Sequence, residues 1–270
     1  MSRRPAAAAL VAALTLGVGA AAAHAAPPAT ATPGTLTVGH NLPSDGFQVG
    51  AVKGRTVVAA RGFEIDLAQA IEGELGLQAL AMVQEPVFTR LLAPGPKAWD
   101  MALAQVTITD ARAAGVDFSV PYLTADQGVL LSLQTTARPA SIADLRGLKL
   151  CAQKGSTGAD LIAQRIRPTA KPTLPNSFTV LTRGLRSGAC QAVVFDAPTL
   201  ATLRAAVPGR YGPMAGIIPT GERYGAVFPK GSKLRGPVNR AIAALRKDGT
   251  LAALQKKWLA QDLAKVPVLR

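Results

Sequence analysis

The sequence predicts two α/β lobes, and three observations carry that prediction. Short apolar runs alternate with segments of helical periodicity, the pattern of parallel sheets with helices on both faces. The alternation runs through once and starts again from Leu148. The 270 residues, 49% of them hydrophobic, supply the core for one large domain or two lobes of ordinary size, and are too apolar for a disordered chain.

Taken in order, residues 36–38 read as a strand. The helix after it carries Phe63, Leu67, Ile71 and Leu75 at four-residue steps and is closed by Gly76. Residues 80–83 and 101–104 are further strands. The second round opens with a strand over 148–153, the turn Lys154-Gly155-Ser156-Thr157-Gly158 and a helix through Ile166. A helix over 180–185 and a strand over 192–195 follow. The last third reads as a strand over 224–228, an amphipathic helix through Leu234, Val238, Ile242 and Leu245 stopped at Gly249, and a short helix over 251–259.

Residues 1–25 read as a secretory signal: Arg3 and Arg4 give a basic start, residues 6–23 an apolar stretch, and Ala23-His24-Ala25 a small-x-small cleavage site. A retained membrane helix is the alternative, disfavoured because alanine and glycine make the stretch only weakly hydrophobic. Residues 26–33 form a flexible Pro/Ala/Thr tail. No cysteine near the cleavage site could carry a lipid, so the expected product is periplasmic and not lipid-anchored.

Without Arg3 and Arg4 the formal charge falls from +14 to +12. The basic residues are mostly single or paired and not interleaved with aromatics, which fits a solvated surface better than a nucleic-acid partner. Beyond His24 in the leader, His40 is the only histidine, and Cys151 and Cys190 are the only cysteines. That inventory weakens zinc-enzyme and Ser-His-Asp hydrolase readings and points to binding, with no cofactor or metal expected.

In open α/β sheets ligands gather at the carboxyl ends of strands. The segment Thr107-Ile-Thr-Asp-Ala-Arg112 follows a strand, and Thr109 or Asp110 can cap a short helix whose first turn holds Arg112. The Thr107 hydroxyl and a forked guanidinium suit a planar carboxylate; the alternative is surface pairing of Arg112 with Asp117. The turn at Ser156 and Thr157 offers amides and hydroxyls to the other edge of the same carboxylate, or is simply a turn. Asp196, at the end of the strand over 192–195, suits a cationic amine, or else caps a helix before Pro198.

Together these segments resemble the bacterial extracellular solute-binding proteins for polar amino acids, family 3, the receptors of ABC importers. The resemblance covers nearly all of residues 34–260. It runs through Gly34-Thr-Leu-Thr-Val-Gly39, Gly62-Phe-Glu-Ile-Asp-Leu67, Thr107 to Arg112, Asp117-Phe-Ser-Val-Pro-Tyr122, Gly155-Ser-Thr157, Asp196, Tyr224-Gly225 and Pro229-Lys-Gly231.

The resemblance implies a type II periplasmic-binding-protein fold. Residues 34–127 and 224–270 would form a discontinuous first lobe and residues 128–223 an inserted second, with hinge segments near 125–131 and 221–226. It implies that Arg112, Thr107, Ser156 and Thr157 grip the ligand α-carboxylate and that Asp196 takes the α-ammonium. The Gln105 carbonyl would help the ammonium, and Phe88 would cover the ligand. Its partners would be an amino acid and a membrane permease, and the protein a monomer. The sequence departs from the family at Asn41, where an acidic residue is common, and at Gln105, where glycine is common. Asn41, Gln153, Arg61 and Arg90 are candidates for reading the ligand side chain, each with a surface or structural role as the alternative. Trp99 and Trp258 read as packing residues. This topology sets Cys151 and Cys190 on neighbouring strands of an exported protein, so a disulfide is expected, with two buried thiols as the alternative. Two other functions remain open: an enzyme resembling cyclohexadienyl dehydratases, for which no acidic residue stands between Gln153 and Ala159, and a ligand-sensing receptor subunit.

Overall fold

The computed structural model describes residues 26–260 and 262–270; the proposed leader lies outside the described residues. The first lobe begins with β1 (Thr35–His40), the hairpin β2 (Val49–Lys53) and β3 (Thr56–Arg61), α1 (Phe63–Glu74), β4 (Ala79–Gln84) and α2 (Phe88–Leu92). It continues through β5 (Met101–Ala102), α3 (Asp110–Ala113), β6 (Asp117–Phe118) and β7 (Leu123–Thr124). The second lobe holds β8 (Gln127–Leu131), β9 (Leu150–Cys151), α4 (Thr157–Leu161) running on as a π-turn at Ile162–Ile166, α5 (Phe178–Arg186), β10 (Ala192–Asp196), α6 (Ala197–Ala206) and β11 (Met214–Ile218). The chain returns through β12 (Arg223–Tyr224), β13 (Val227–Phe228), α7 (Arg235–Lys247) and α8 (Thr250–Trp258).

The hydrophobic spacing of α1 does what its period requires. Phe63, Leu67 and Ile71 are fully buried beside Leu36 and Val38 of β1, and Gly76 at φ 65° ends the helix in a conformation that favours glycine. The first sheet has the order β2-β3-β4-β1-β5-β13-β6 and the second β11-β8-β10-β9. Strands β7 and β12 pair with each other where the chain passes between the two sheets, and Tyr224 of β12 also bridges Thr107.

Three expectations need correction. The sheets are mixed rather than parallel: among the named strands of the described residues, only β1 with β4, β1 with β5, and β9 with β10 run parallel. The reason is topological, since β8 and β13 enter their sheets from the crossing segments rather than through a strand-helix-strand unit, and β2–β3 is a hairpin. The strand read over 224–228 is two strands that part at Gly225, where a side chain would collide with Ile108.

The third correction concerns the lobe boundary. Gln127 already belongs to the second sheet, and the tail assigned to the first lobe ends on the second. Ile217 of β11 bridges Val268, and the Leu269 amide donates to the Ile217 carbonyl at 2.8 Å. Leu269, 1% exposed, packs with Val129 and Ile218 in the second lobe's core, and burial of that side chain holds the tail there.

Cys151 and Cys190 form a disulfide with their Cα atoms 5.8 Å apart. Strands β9 and β10 lie side by side there, with Val193 opposite Cys151. Trp99 is buried under the first sheet, and Trp258 packs on the core around α1 while its indole N–H donates to Asp66 at 2.7 Å.

Candidate functional site

Between the lobes lies a cavity of about 30 Å³. Asn41, Phe88, Gln105, Thr107 and Arg112 line it from the first lobe, and Gln153, Ser156, Thr157 and Asp196 from the second. All nine residues nominated as a binding set are thus brought to one place. Pro43, Ser44, Ala104, Phe178 and Phe195 complete the wall and were not foreseen. Phe178 and Phe195 pack with their rings tilted 46° and centroids 4.9 Å apart; each looks like an ordinary core aromatic in sequence. Arg61 and Arg90 are exposed and do not line the cavity.

Arg112 reaches the cavity because Thr109 starts α3: the Thr109 hydroxyl accepts from the Arg112 backbone N–H at 3.2 Å. The guanidinium lies over the Phe88 ring at 5.5 Å and donates to the Thr107 carbonyl at 2.8 Å and, across the cleft, to the Gly155 carbonyl at 3.1 Å. Burial lowers its pKa, opposed by the negative charges of Asp196 and Glu222. Surface pairing with Asp117 does not occur; Asp117 is held by Lys230 at 3.0 Å.

On the facing lobe, Gly155 turns the chain at φ 77° and Ser156 caps α4, its hydroxyl accepting from the Ala159 N–H at 3.2 Å. Asp196 stands at the carboxyl end of β10 but makes no side-chain cap on α6, which leaves its carboxylate for other partners. One oxygen accepts from Gln127 at 2.6 Å and the other from the Tyr224 hydroxyl at 2.5 Å. Burial pushes the Asp196 pKa up to about 7; the Tyr224 hydrogen bond and Arg112 pull it down, and Glu222 pushes it further up.

Gln105 takes the left-handed conformation, φ 53°, which glycine adopts without strain. Its backbone N–H donates to the buried Glu64 carboxylate at 2.7 Å, and its side-chain oxygen accepts from Ser44 of one lobe and Thr199 of the other, both at 2.9 Å. Burial raises the Glu64 pKa to about 7, against hydrogen bonds from Tyr122 and Gln105. Asn41 and Gln153 are each tied by a side-chain amide to a backbone carbonyl, of Glu85 at 2.6 Å and Asn176 at 3.3 Å.

Sequence reasoning missed Glu222. It lies in the crossing segment already picked out as a hinge, and its Oε2 accepts from Thr107, Thr157 and Gln127. The signal available was an acidic residue two positions before Tyr224 in a segment that must pass the cleft.

Residues 38–261 match the family described as bacterial extracellular solute-binding proteins, family 3. The chain is 29% identical to the L-cystine-binding protein TcyJ of Escherichia coli K12 over 211 residues, covering 76% of each. It is 30% identical to the glutamine-binding protein GlnH of an ABC transporter of Bacillus subtilis over 208 residues, 76% of this chain and 74% of that one. Among solved structures, an ancestral arginine-binding protein bound to arginine superposes with a TM-score of 0.72 at 30% identity, over 83% of this chain and 98% of that one. A two-lobed α/β architecture with a mixed first sheet, a family match over most of the chain and these likenesses agree: the protein belongs to the bacterial extracellular solute-binding proteins, family 3.

Proposed function

We propose that the protein captures an amino acid between its lobes and delivers it to the membrane permease of an ABC importer. One observation carries the proposal: Arg112 and Asp196, of opposite charge and from opposite lobes, face one cavity together with the hydroxyls of Thr107, Ser156 and Thr157. A zwitterion fits that arrangement, with its carboxylate at the guanidinium and its ammonium at the carboxylate. Asn41 and Gln153 then read the side chain, and Phe88 covers the ligand. Relatives named for cystine, glutamine and arginine binding support an amino acid as the ligand class. The protein works as an exported, periplasmic monomer.

A thermal-shift screen of the common amino acids and L-cystine tests this. A ligand at a hundred times its Kd stabilises the folded state by about 2.7 kcal/mol and raises Tm. If none of them moves Tm, the proposal fails. A second reading rests on Asp196, whose pKa near 7 gives the cavity a carboxyl able to act as a general acid. Turnover of prephenate by the purified protein would favour that enzyme over the receptor.

A further inference from the structure

The crossing-segment carboxylate of Glu222 gathers donors from both lobes onto a single atom. Its Oε2 accepts from the Thr107 hydroxyl of the first lobe at 3.1 Å and from the Thr157 hydroxyl of the second at 2.6 Å. The Gln127 amide of β8 reaches the same atom at 3.2 Å and also holds Asp196. Glu222 does not line the cavity; it reaches the two threonines from the crossing segment.

A threonine hydroxyl carries one hydrogen. With both hydrogens directed at Glu222, neither Thr107 nor Thr157 can donate to a second carboxylate, and a carboxylate only accepts. We propose that Glu222 is an affinity-setting internal surrogate for the ligand carboxylate: it ties the lobes together through Thr107 and Thr157 before a ligand arrives and must give up both hydroxyls when one binds. The inference rests on the amino-acid reading above. It adds that part of the ligand's carboxylate contact is exchanged for an existing one rather than newly made. The ligand-free protein is held partly closed, and its affinity sits below what Arg112 and the two hydroxyls could deliver.

The test uses the whole protein with Glu222→Ala and Glu222→Gln. Small-angle scattering on ligand-free protein reads the lobe separation, and calorimetry reads Kd for an amino acid found by the screen. Losing a charge-assisted contact that opposes binding should tighten Kd about tenfold in Glu222→Ala. The change should be smaller in Glu222→Gln, whose amide oxygen still accepts. The radius of gyration of ligand-free Glu222→Ala should exceed that of wild type. Unchanged or weaker binding in Glu222→Ala overturns the competition, and an unchanged radius of gyration overturns the tie between lobes. If wild type binds no amino acid, the functional reading falls and the competition with it, while the scattering result still decides the tie.

Discussion

Asp196 and Tyr224 meet in a 2.5 Å hydrogen bond that joins the end of strand β10 to the crossing strand β12, with both side chains buried. The carboxylate proposed to hold a ligand ammonium is therefore supported from outside its own lobe. Gln127, at the start of β8, supports its other oxygen.

That support sets a pH dependence. An ammonium needs Asp196 ionised, and burial holds its pKa at about 7, so affinity should fall as pH drops below 7 and level off above it. Well below the pKa the loss approaches about tenfold per pH unit. Tyr224→Phe removes a hydrogen bond that pulls the pKa down, so its inflection should move to higher pH. Calorimetry between pH 5.5 and 8.5 reads both effects. Equal affinity at the two ends would show that binding does not follow ionisation of Asp196 over this range.

Arg112→Ala should weaken binding by at least about tenfold, the value of one charge-assisted contact. Arg112→Lys should also bind more weakly, because an ammonium cannot present the planar fork and stacks less well on Phe88. Wild-type affinity in Arg112→Ala would exclude the guanidinium as the carboxylate anchor.

The disulfide should dominate the second lobe's stability. It links positions 39 residues apart. By loop-closure entropy such a link contributes about 4 kcal/mol. The Cys151→Ala, Cys190→Ala double variant should lose that order of stability in urea unfolding. A loss under about 1 kcal/mol would show that the denatured chain is already constrained in this region.

His40 should contribute an acid-sensitive part of the first lobe's stability. Its Nδ1 faces the Gln48 side-chain oxygen and the Leu103 carbonyl, both at 3.0 Å, and burial lowers its pKa from 6.5 to about 4. As pH falls from 6.5 to 4 the unfolded chain takes up a proton that the folded chain refuses, so stability is lost across that window, by up to about 3 kcal/mol. Glu64 and Asp196, with raised pKa values, act in the opposite sense there. The difference between wild type and His40→Gln isolates the histidine, and parallel stability curves for the two would discount it.

Much of the fold was legible because local rules and packing agree. The four-residue spacing of Phe63, Leu67 and Ile71 could only face one core, and the strand-turn-helix at Gly155 announced a helix start. The hairpin β2–β3 was not legible: most of its residues are exposed, so no alternation of buried and open positions marks it. The docking of the tail depends on Leu269 meeting Val129 and Ile218, a contact between segments far apart in sequence that no local pattern encodes. At the site, charged and hydroxyl residues after strands stood out. Phe178, Phe195 and Glu222 did not, because what they face is decided by how the two halves meet.

Because Leu269 anchors the tail on the second lobe, the two halves are joined by a third length of chain beyond the paired crossings. That length is short: Leu259 belongs to the first lobe's core, and the Ala260 N–H already donates to the Thr202 hydroxyl of α6 at 3.1 Å. Any widening of the mouth therefore has three connections to accommodate and not two.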